Sequence, residues 1–200
     1  MPVLGLTGGI ATGKSTFARA LRSHLAAECF DVDACARELL RSDPEVRRRV
    51  SGTFGEGIFL ADGEPDRVRL RELVFADESR RKELEAILHP AIRTRWQELA
   101  APYRQRQDWF CVDIPLLFET RAEAEFDRVV VVACSEATQY ARLRSARGLS
   151  DEMAASILAA QLDLRAKITQ AHHLIWNDST ASCLDGQAAL LAGLLRSAVH

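Results

Sequence analysis

Gly8-Gly9-Ile10-Ala11-Thr12-Gly13-Lys14-Ser15 follows an apolar run, Val3-Leu4-Gly5-Leu6-Thr7, and leads into a segment where Phe17, Ala18, Leu21 and Leu25 recur at helical spacing. The octapeptide fits G-x-x-x-x-G-K-[ST], and a buried strand before it with a helix after it is the setting that pattern requires. In a chain with 11 glycines and three lysines, a chance match arises roughly once in a thousand such sequences. Glycines let backbone N–H groups converge on phosphate oxygens, and the helix N-terminus adds about half a positive charge. The candidate phosphate contacts are therefore the backbone of Gly8, Gly9, Ile10, Ala11, Thr12 and Gly13, the Lys14 ammonium on the β and γ phosphates, and Thr16 on the α phosphate. Ser15 is the candidate ligand of Mg²⁺. Arginine outnumbers lysine 23 to 3, yet the loop carries a lysine. A compact ammonium fits between phosphate oxygens where a guanidinium fork is too wide.

Outward from the loop, four more β-rich runs follow: Cys29 to Asp33, Trp109 to Pro115, Arg128 to Cys134 and His173 to Asn177. Helical patterns separate them, as parallel strands require, because tight turns cannot join such strands. The expectation is an α/β fold with a five-stranded parallel sheet flanked by helices. Val129-Val130-Val131-Val132 has no polar alternation, which predicts a central strand covered on both faces. The roughly 75 residues between the second and third runs exceed one crossover, so a helical insert is expected at about 59–106, within a single domain whose core takes about 1–58 and 107–200. Leu84, Ile87, Leu88, Ile92, Trp96 and Leu99 carry its helical spacing, and proline's fixed φ predicts a kink or restart at His89-Pro90. A later helical stretch, Glu136 to Gln170, breaks at Gly148-Leu149-Ser150, where Ser150 is placed to cap a helix opening on Asp151 and Glu152.

With 200 residues and 48% hydrophobic content the chain suits one domain with a substantial core. A formal charge of -2 disfavours a nucleic-acid backbone as the main partner. Cys29, Cys35, Cys111, Cys134 and Cys183 contain no C-x-x-C pair, which argues against a disulfide framework and a zinc site. The longest unbroken apolar run, Val129 to Cys134, is far below the ~20 residues of a membrane helix. The first residues also lack a basic, cleavable leader. The expected setting is a reducing cytoplasm, with a small anionic molecule as substrate, no nucleic-acid or membrane partner, and a monomer as the working state.

Phe30-Asp31-Val32-Asp33 closes the second run with two carboxylates at i and i+2, which face one side of a strand. At the C-terminal edge of a doubly wound sheet, Asp33 is placed either to face a γ-phosphate and accept a hydroxyl proton, or to cap a helix over Ala34 to Leu40. Asp113 either reaches Mg²⁺ through water or is a strand-end hydrogen-bond acceptor.

Taken together, Thr7-Gly8-Gly9-Ile10, Gly13-Lys14-Ser15-Thr16, Asp31-Val32-Asp33-Ala34 with Ala36-Arg37, His89-Pro90 and Pro115-Leu116-Leu117-Phe118-Glu119 resemble the dephospho-coenzyme A kinase family. Further matches at Gln139, Arg142, Gln161, Lys167, Ile175 and Asn177 carry the likeness along nearly the whole chain. The resemblance implies a P-loop NTP hydrolase-like fold of the nucleotide-kinase type. It implies Mg²⁺-dependent transfer of the ATP γ-phosphoryl group to the ribose 3′-hydroxyl of dephospho-coenzyme A, the last step of coenzyme A synthesis. On this basis Asp33 is the base on the hydroxyl, Arg142 reaches the phosphates from a helical lid at about 139–166, and Asn177 belongs to the adenine pocket. For a second lid arginine Arg144 and Arg147 compete, and Arg147 is favoured because it lies beside Gly148, where the helix ends and the backbone can bend. Arg37, His89 and the Pro115 to Glu119 segment fall, with the insert, on the acceptor side. The alternatives are a helix N-cap for His89 and core packing for Leu116, Leu117 and Phe118.

Four positions depart from the family pattern. Ala11-Thr12 stands where Gly-Ser is usual, a tolerable change if neither residue needs φ > 0. His172 replaces an aspartate before the last strand. Ala146 occupies the place of a usual second arginine, with Arg147 one residue late. Trp176 brings a ring beside Asn177, either as core or stacked on adenine. The competing readings are another small-molecule kinase of this loop type and a nucleotide-dependent regulatory ATPase.

Overall fold

Each of the five apolar runs forms a strand: β1 (Val3–Gly8), β2 (Glu28–Asp31), β3 (Phe110–Asp113), β4 (Arg128–Ala133) and β5 (His173–Trp176). They build one parallel sheet of order β2-β3-β1-β4-β5. The computed structural model describes residues 3–106, 108–147, 150–159 and 161–197. Its helices are α1 (Lys14–Leu25), α2 (Val32–Ser42), α3 (Pro44–Phe54), α4 (Arg67–Ala76), α5 (Glu78–Arg106), α6 (Glu136–Arg147), α7 (Asp151–Ala159), α8 (Leu164–Thr169) and α9 (Ala181–Ser197). The middle strand is β1, which carries the loop. The valine-rich β4 is interior, between β1 and β5, rather than central. Burial on both faces, which its sequence demands, comes from helices packed on the two faces of the sheet and does not require the middle place in the strand order.

The chain divides into two compact units, Met1–Phe30 with Ala100–His200, and Asp31–Leu99. In the first, Leu4 and Leu6 of β1, Val130 and Val132 of β4 and Ile175 of β5 project onto one face. There they join Phe17 and Leu21 of α1 and Leu191 and Leu195 of α9 in one buried cluster. Each such side chain contributes about 1.5–3 kcal/mol on burial, so the end of β1, where the loop begins, is firmly held. Trp109 closes the layer by donating its indole N–H to Leu195 O at 3.0 Å. On the edge strand β5, the Gln187 amide bonds both Trp176 N and Trp176 O, at 3.1 and 2.9 Å, occupying backbone groups that another strand would otherwise seek. Ser150 caps α7 as expected, its Oγ accepting from Met153 N at 3.3 Å.

The second unit corrects two expectations. Asp31 ends β2, and its carboxylate accepts from Ala34 N at 2.8 Å, so α2 opens at Val32 and Asp31 is its N-cap. Asp33 therefore lies in the first helical turn, not at a strand end, and the same-side carboxylate pair does not form. At His89-Pro90, where the sequence predicts a kink or restart, α5 continues as one helix, which excludes the restart. Pro90 has no N–H for the carbonyl of Ala86 four residues back, and Arg49 Nη2 donates to that carbonyl at 3.4 Å instead. His89 is an exposed residue inside a helix, so it caps nothing.

Candidate active site

Between β1 and α1 the chain turns through residues 9–13, and every carbonyl of that turn has a donor. Gly9 O accepts from Thr12 Oγ1 at 2.8 Å, Ile10 O from Gln139 Nε2 at 2.7 Å, Ala11 O from Arg142 Nη1 at 3.1 Å and Thr12 O from Asn177 Nδ2 at 2.8 Å. Gly13 O accepts from the helical amides of Thr16 and Phe17. In a trans peptide the C=O and the next N–H point opposite ways, so holding the carbonyls outward turns amides inward. The N-terminus of α1 has no side-chain cap, and its first amides lack intrahelical acceptors, which makes it a place for an anion.

Two glycines that bound this turn, Gly8 at the end of β1 and Gly13 before α1, admit no substitute. A Cβ on Gly8 would stand 2.3 Å from Val132 O. Gly13 has φ 89°, and a Cβ there would stand 2.2 Å from Asn177 Nδ2. Ala11, in contrast, occupies the left-handed region without being glycine, at φ 59°. The condition under which alanine is tolerated without strain, no positive φ at this position, is therefore not met. Ala11 is held there by the bonds to Ile10 O and Ala11 O on either side. Ala11→Gly is expected to relieve the strain and stabilise the fold by about 0.5–1 kcal/mol after the entropy of the unfolded glycine is subtracted. The denaturation midpoint measures this, and an unchanged or lowered midpoint refutes it.

The Lys14 ammonium is ion-paired with the carboxylate of Asp113, both largely buried. Asp113 ends β3 opposite Leu6. Beyond it, Pro115 O accepts from Thr7 Oγ1 at 3.1 Å and from Lys167 Nζ at 3.4 Å. Lys167 is fully buried, and its charge meets Glu119 Oε1 at 2.7 Å. The same oxygen accepts from Leu162 N at 3.2 Å. In the Pro115 to Glu119 segment, Leu117 and Phe118 are buried, whereas Leu116 is 38% exposed. Burial pushes the Cys134 thiol up to about 11, and the hydrogen bond that Cys111 gives to Cys29, followed by burial, raises Cys111.

Among the residues singled out from sequence, the first unit brings the loop, Lys14, Arg142 and Asn177 together. Asn177 is buried behind the loop, and its own carbonyl accepts from Arg142 Nη2 at 2.9 Å. Ser15 and Thr16 are exposed at the start of α1. Arg144 turns to Asp151 at 3.3 Å, and no bond from it to the loop occurs among the described residues. The Arg147 side chain, like Gly148 and Leu149, lies outside the described residues. In the second unit, Asp33 and Arg37 are exposed on α2, as is His89 on α5. His172 keeps a polar role despite replacing aspartate, since its Nδ1 accepts from Val129 N at 3.0 Å. Trp176 is 45% exposed, bonded to Asp178, and lines a cleft of about 730 Å³ that also reaches Gly9, Gln139, Gln161 and Leu158. The sequence reading missed the roles of Gln139, Gln161 and Lys167 as supports.

Known proteins resemble this chain along nearly its whole length. The sequence model of the family described as Dephospho-CoA kinase matches residues 2–182. A protein of Anaeromyxobacter dehalogenans (strain 2CP-C) named Dephospho-CoA kinase is 41% identical over 197 residues, 98% of this chain and 93% of that one. The crystal structure of TT1252 from Thermus thermophilus superposes with a TM-score of 0.81 at 31% identity, covering 98% of this chain and 97% of that one. The structure of a dephospho-CoA kinase from Campylobacter jejuni gives a TM-score of 0.74 at 25% identity, covering 99% of this chain and 98% of that one.

Proposed function

The chain belongs to the dephospho-CoA kinase family, and we propose how its residues carry out the transfer of the ATP γ-phosphoryl group to the ribose 3′-hydroxyl of dephospho-coenzyme A. The observation that carries the nucleotide half is the loop with all its carbonyls tied back and Lys14 beside an uncapped helix N-terminus. Lys14 leaves Asp113 for the β and γ phosphates, and the loop amides together with Arg142 hold the charge that develops during transfer. Asp33 accepts the hydroxyl proton. Arg37, His89 and Leu116 bind the acceptor, with the helices at about 59–106 forming its side and those at about 139–166 the lid. Arg147 and Asn177 serve the nucleotide.

The donor set near Lys14 suits Mg²⁺. The Ser15 hydroxyl and the Asp113 carboxylate are hard oxygens, and no group of three His, Cys, Asp or Glu among the described residues makes a cage of its own. Mg²⁺ is commonly held by one or two protein oxygens plus substrate phosphates, where it neutralises phosphate charge. No described helix is long and apolar enough to cross a membrane, and five free thiols suit a reducing cytoplasm.

ADP release with ATP, Mg²⁺ and dephospho-coenzyme A, compared with adenosine, nucleoside monophosphates and water, tests the reading. Preference for any other acceptor overturns it. Within the lid, Arg142→Ala removes two charged hydrogen bonds from the loop region and is expected to lower turnover about tenfold or somewhat more. Arg144→Ala, losing only an exposed pair with Asp151, is expected to change turnover less than twofold. Steady-state kinetics that reverse this order would make Arg144 the phosphate contact.

A further inference from the structure

Ile10 is gripped on both of its backbone polar groups by side chains from far along the chain. Its N–H donates to Gln161 Oε1 at 3.0 Å, and its C=O accepts from Gln139 Nε2 at 2.7 Å. The two glutamines stand at the two ends of one helical excursion, Gln139 in the first turn of α6 and Gln161 just past the end of α7. Gln139 is buried. Gln161 is fixed from behind, because the next residue, Leu162, gives its N–H to Glu119, which is itself locked on the fully buried Lys167. Both therefore start from anchored backbone and converge on the two peptide planes that flank the Ile10 Cα.

We infer that Gln139 and Gln161 are positioning residues for phosphoryl transfer, setting the direction of the Ala11 amide through their joint hold on Ile10. The Ile10 carbonyl and the Ala11 N–H belong to one trans peptide, so pulling the carbonyl toward Gln139 aims the N–H the opposite way. That peptide has little support of its own, since Ala11 sits at φ 59°, where an alanine is strained. Gln161 holds the preceding Gly9–Ile10 plane and Gln139 the Ile10–Ala11 plane, so with either glutamine gone the backbone at Ile10 is free to turn and the Ala11 N–H swings with it. With both planes held, φ and ψ of Ile10 are fixed together, so the holds work as a unit rather than as a sum. The same arrangement links the loop to the α6–α7 excursion: any movement of its ends relative to each other shifts the Ile10 peptide. Amides preset toward developing charge act on the transition state more than on ground-state binding.

The inference rests on the kinase reading for its kinetic readout, and a second readout stands apart from it. Gln139→Met, Gln161→Met and the double variant keep side-chain length and remove the polar ends. Each single variant is expected to lower kcat about tenfold with the KM for dephospho-coenzyme A within twofold of the original. The double variant is expected to fall no more than about twofold below the worse single one. The rise in melting temperature produced by Mg-ATP without any acceptor is expected to shrink in all three to a similar extent. Unchanged kcat and an unchanged ATP-induced rise overturn the inference, even when the melting temperature without ATP drops. So do effects that multiply in the double variant, or a loss confined to the KM for dephospho-coenzyme A. If the unaltered protein fails to phosphorylate dephospho-coenzyme A, the kinase reading falls, and the ATP-induced melting shifts alone decide for or against the glutamine hold.

Discussion

Lys14→Ala is expected to lower turnover by at least ~100-fold, the order of effect of deleting one preorganised transition-state donor. Two phosphates brought against a sheet edge need a compensating charge that water cannot supply once they are enclosed. The variant suffers twice. It loses the ammonium, and it leaves the Asp113 carboxylate, largely buried, without the Lys14 charge that neutralises it. The phosphates then approach a negative group instead of a positive one. This second effect has its own test, made with ATP in the absence of Mg²⁺ so that the carboxylate acts on the phosphates alone: adding Asp113→Asn to Lys14→Ala removes the repulsion and is expected to restore part of the ATP-induced rise in melting temperature, though not turnover. Near-normal turnover in Lys14→Ala would sink the assignment of Lys14 to the phosphates. Absence of any recovery in the double variant would show that Asp113 does not face the nucleotide.

The phosphate loop was legible because its information is local. Eight consecutive residues, a strand before and a helix after suffice to specify a phosphate cradle. The five strands were legible for the same reason, since apolar runs report burial directly. The supports of the loop were not, because their partners are 129 to 165 residues away and carry no motif. Nothing in a lone glutamine at position 139 or 161 announces which backbone group it will meet. A usable signal for Lys167 did exist. In a chain with 23 arginines and three lysines each lysine needs a reason, and Lys167 proves to be fully buried on Glu119. The continuation of α5 through Pro90 was hidden because it depends on Arg49, a residue of another helix, donating to the carbonyl that proline leaves. Likewise, alternation over residues 30–33 cannot reveal that the Asp31 carboxylate turns back to start a helix.

That correction sharpens the test of Asp33. With Asp31 as the N-cap of α2, capping and chemistry belong to different residues and separate in two variants. Asp33→Asn keeps the size and hydrogen-bonding capacity of the side chain but cannot take a proton from the acceptor hydroxyl. It is expected to lower turnover by ~100-fold or more, as loss of a general base does, while ATP affinity stays within a few-fold. Its stability cost is small, because a carboxylate in the first turn of a helix contributes only about 0.3–1 kcal/mol through the helix dipole. Asp31→Ala shows the opposite pattern. Loss of the bond to Ala34 N costs about 1 kcal/mol of stability, visible as a lower denaturation midpoint, with turnover of the folded protein reduced only modestly. If Asp33→Asn lowers the midpoint and leaves turnover intact, Asp33 is a helix-dipole residue and the base must be sought elsewhere. If both variants lose turnover equally, the start of α2 as a whole positions the acceptor and neither carboxylate is the base.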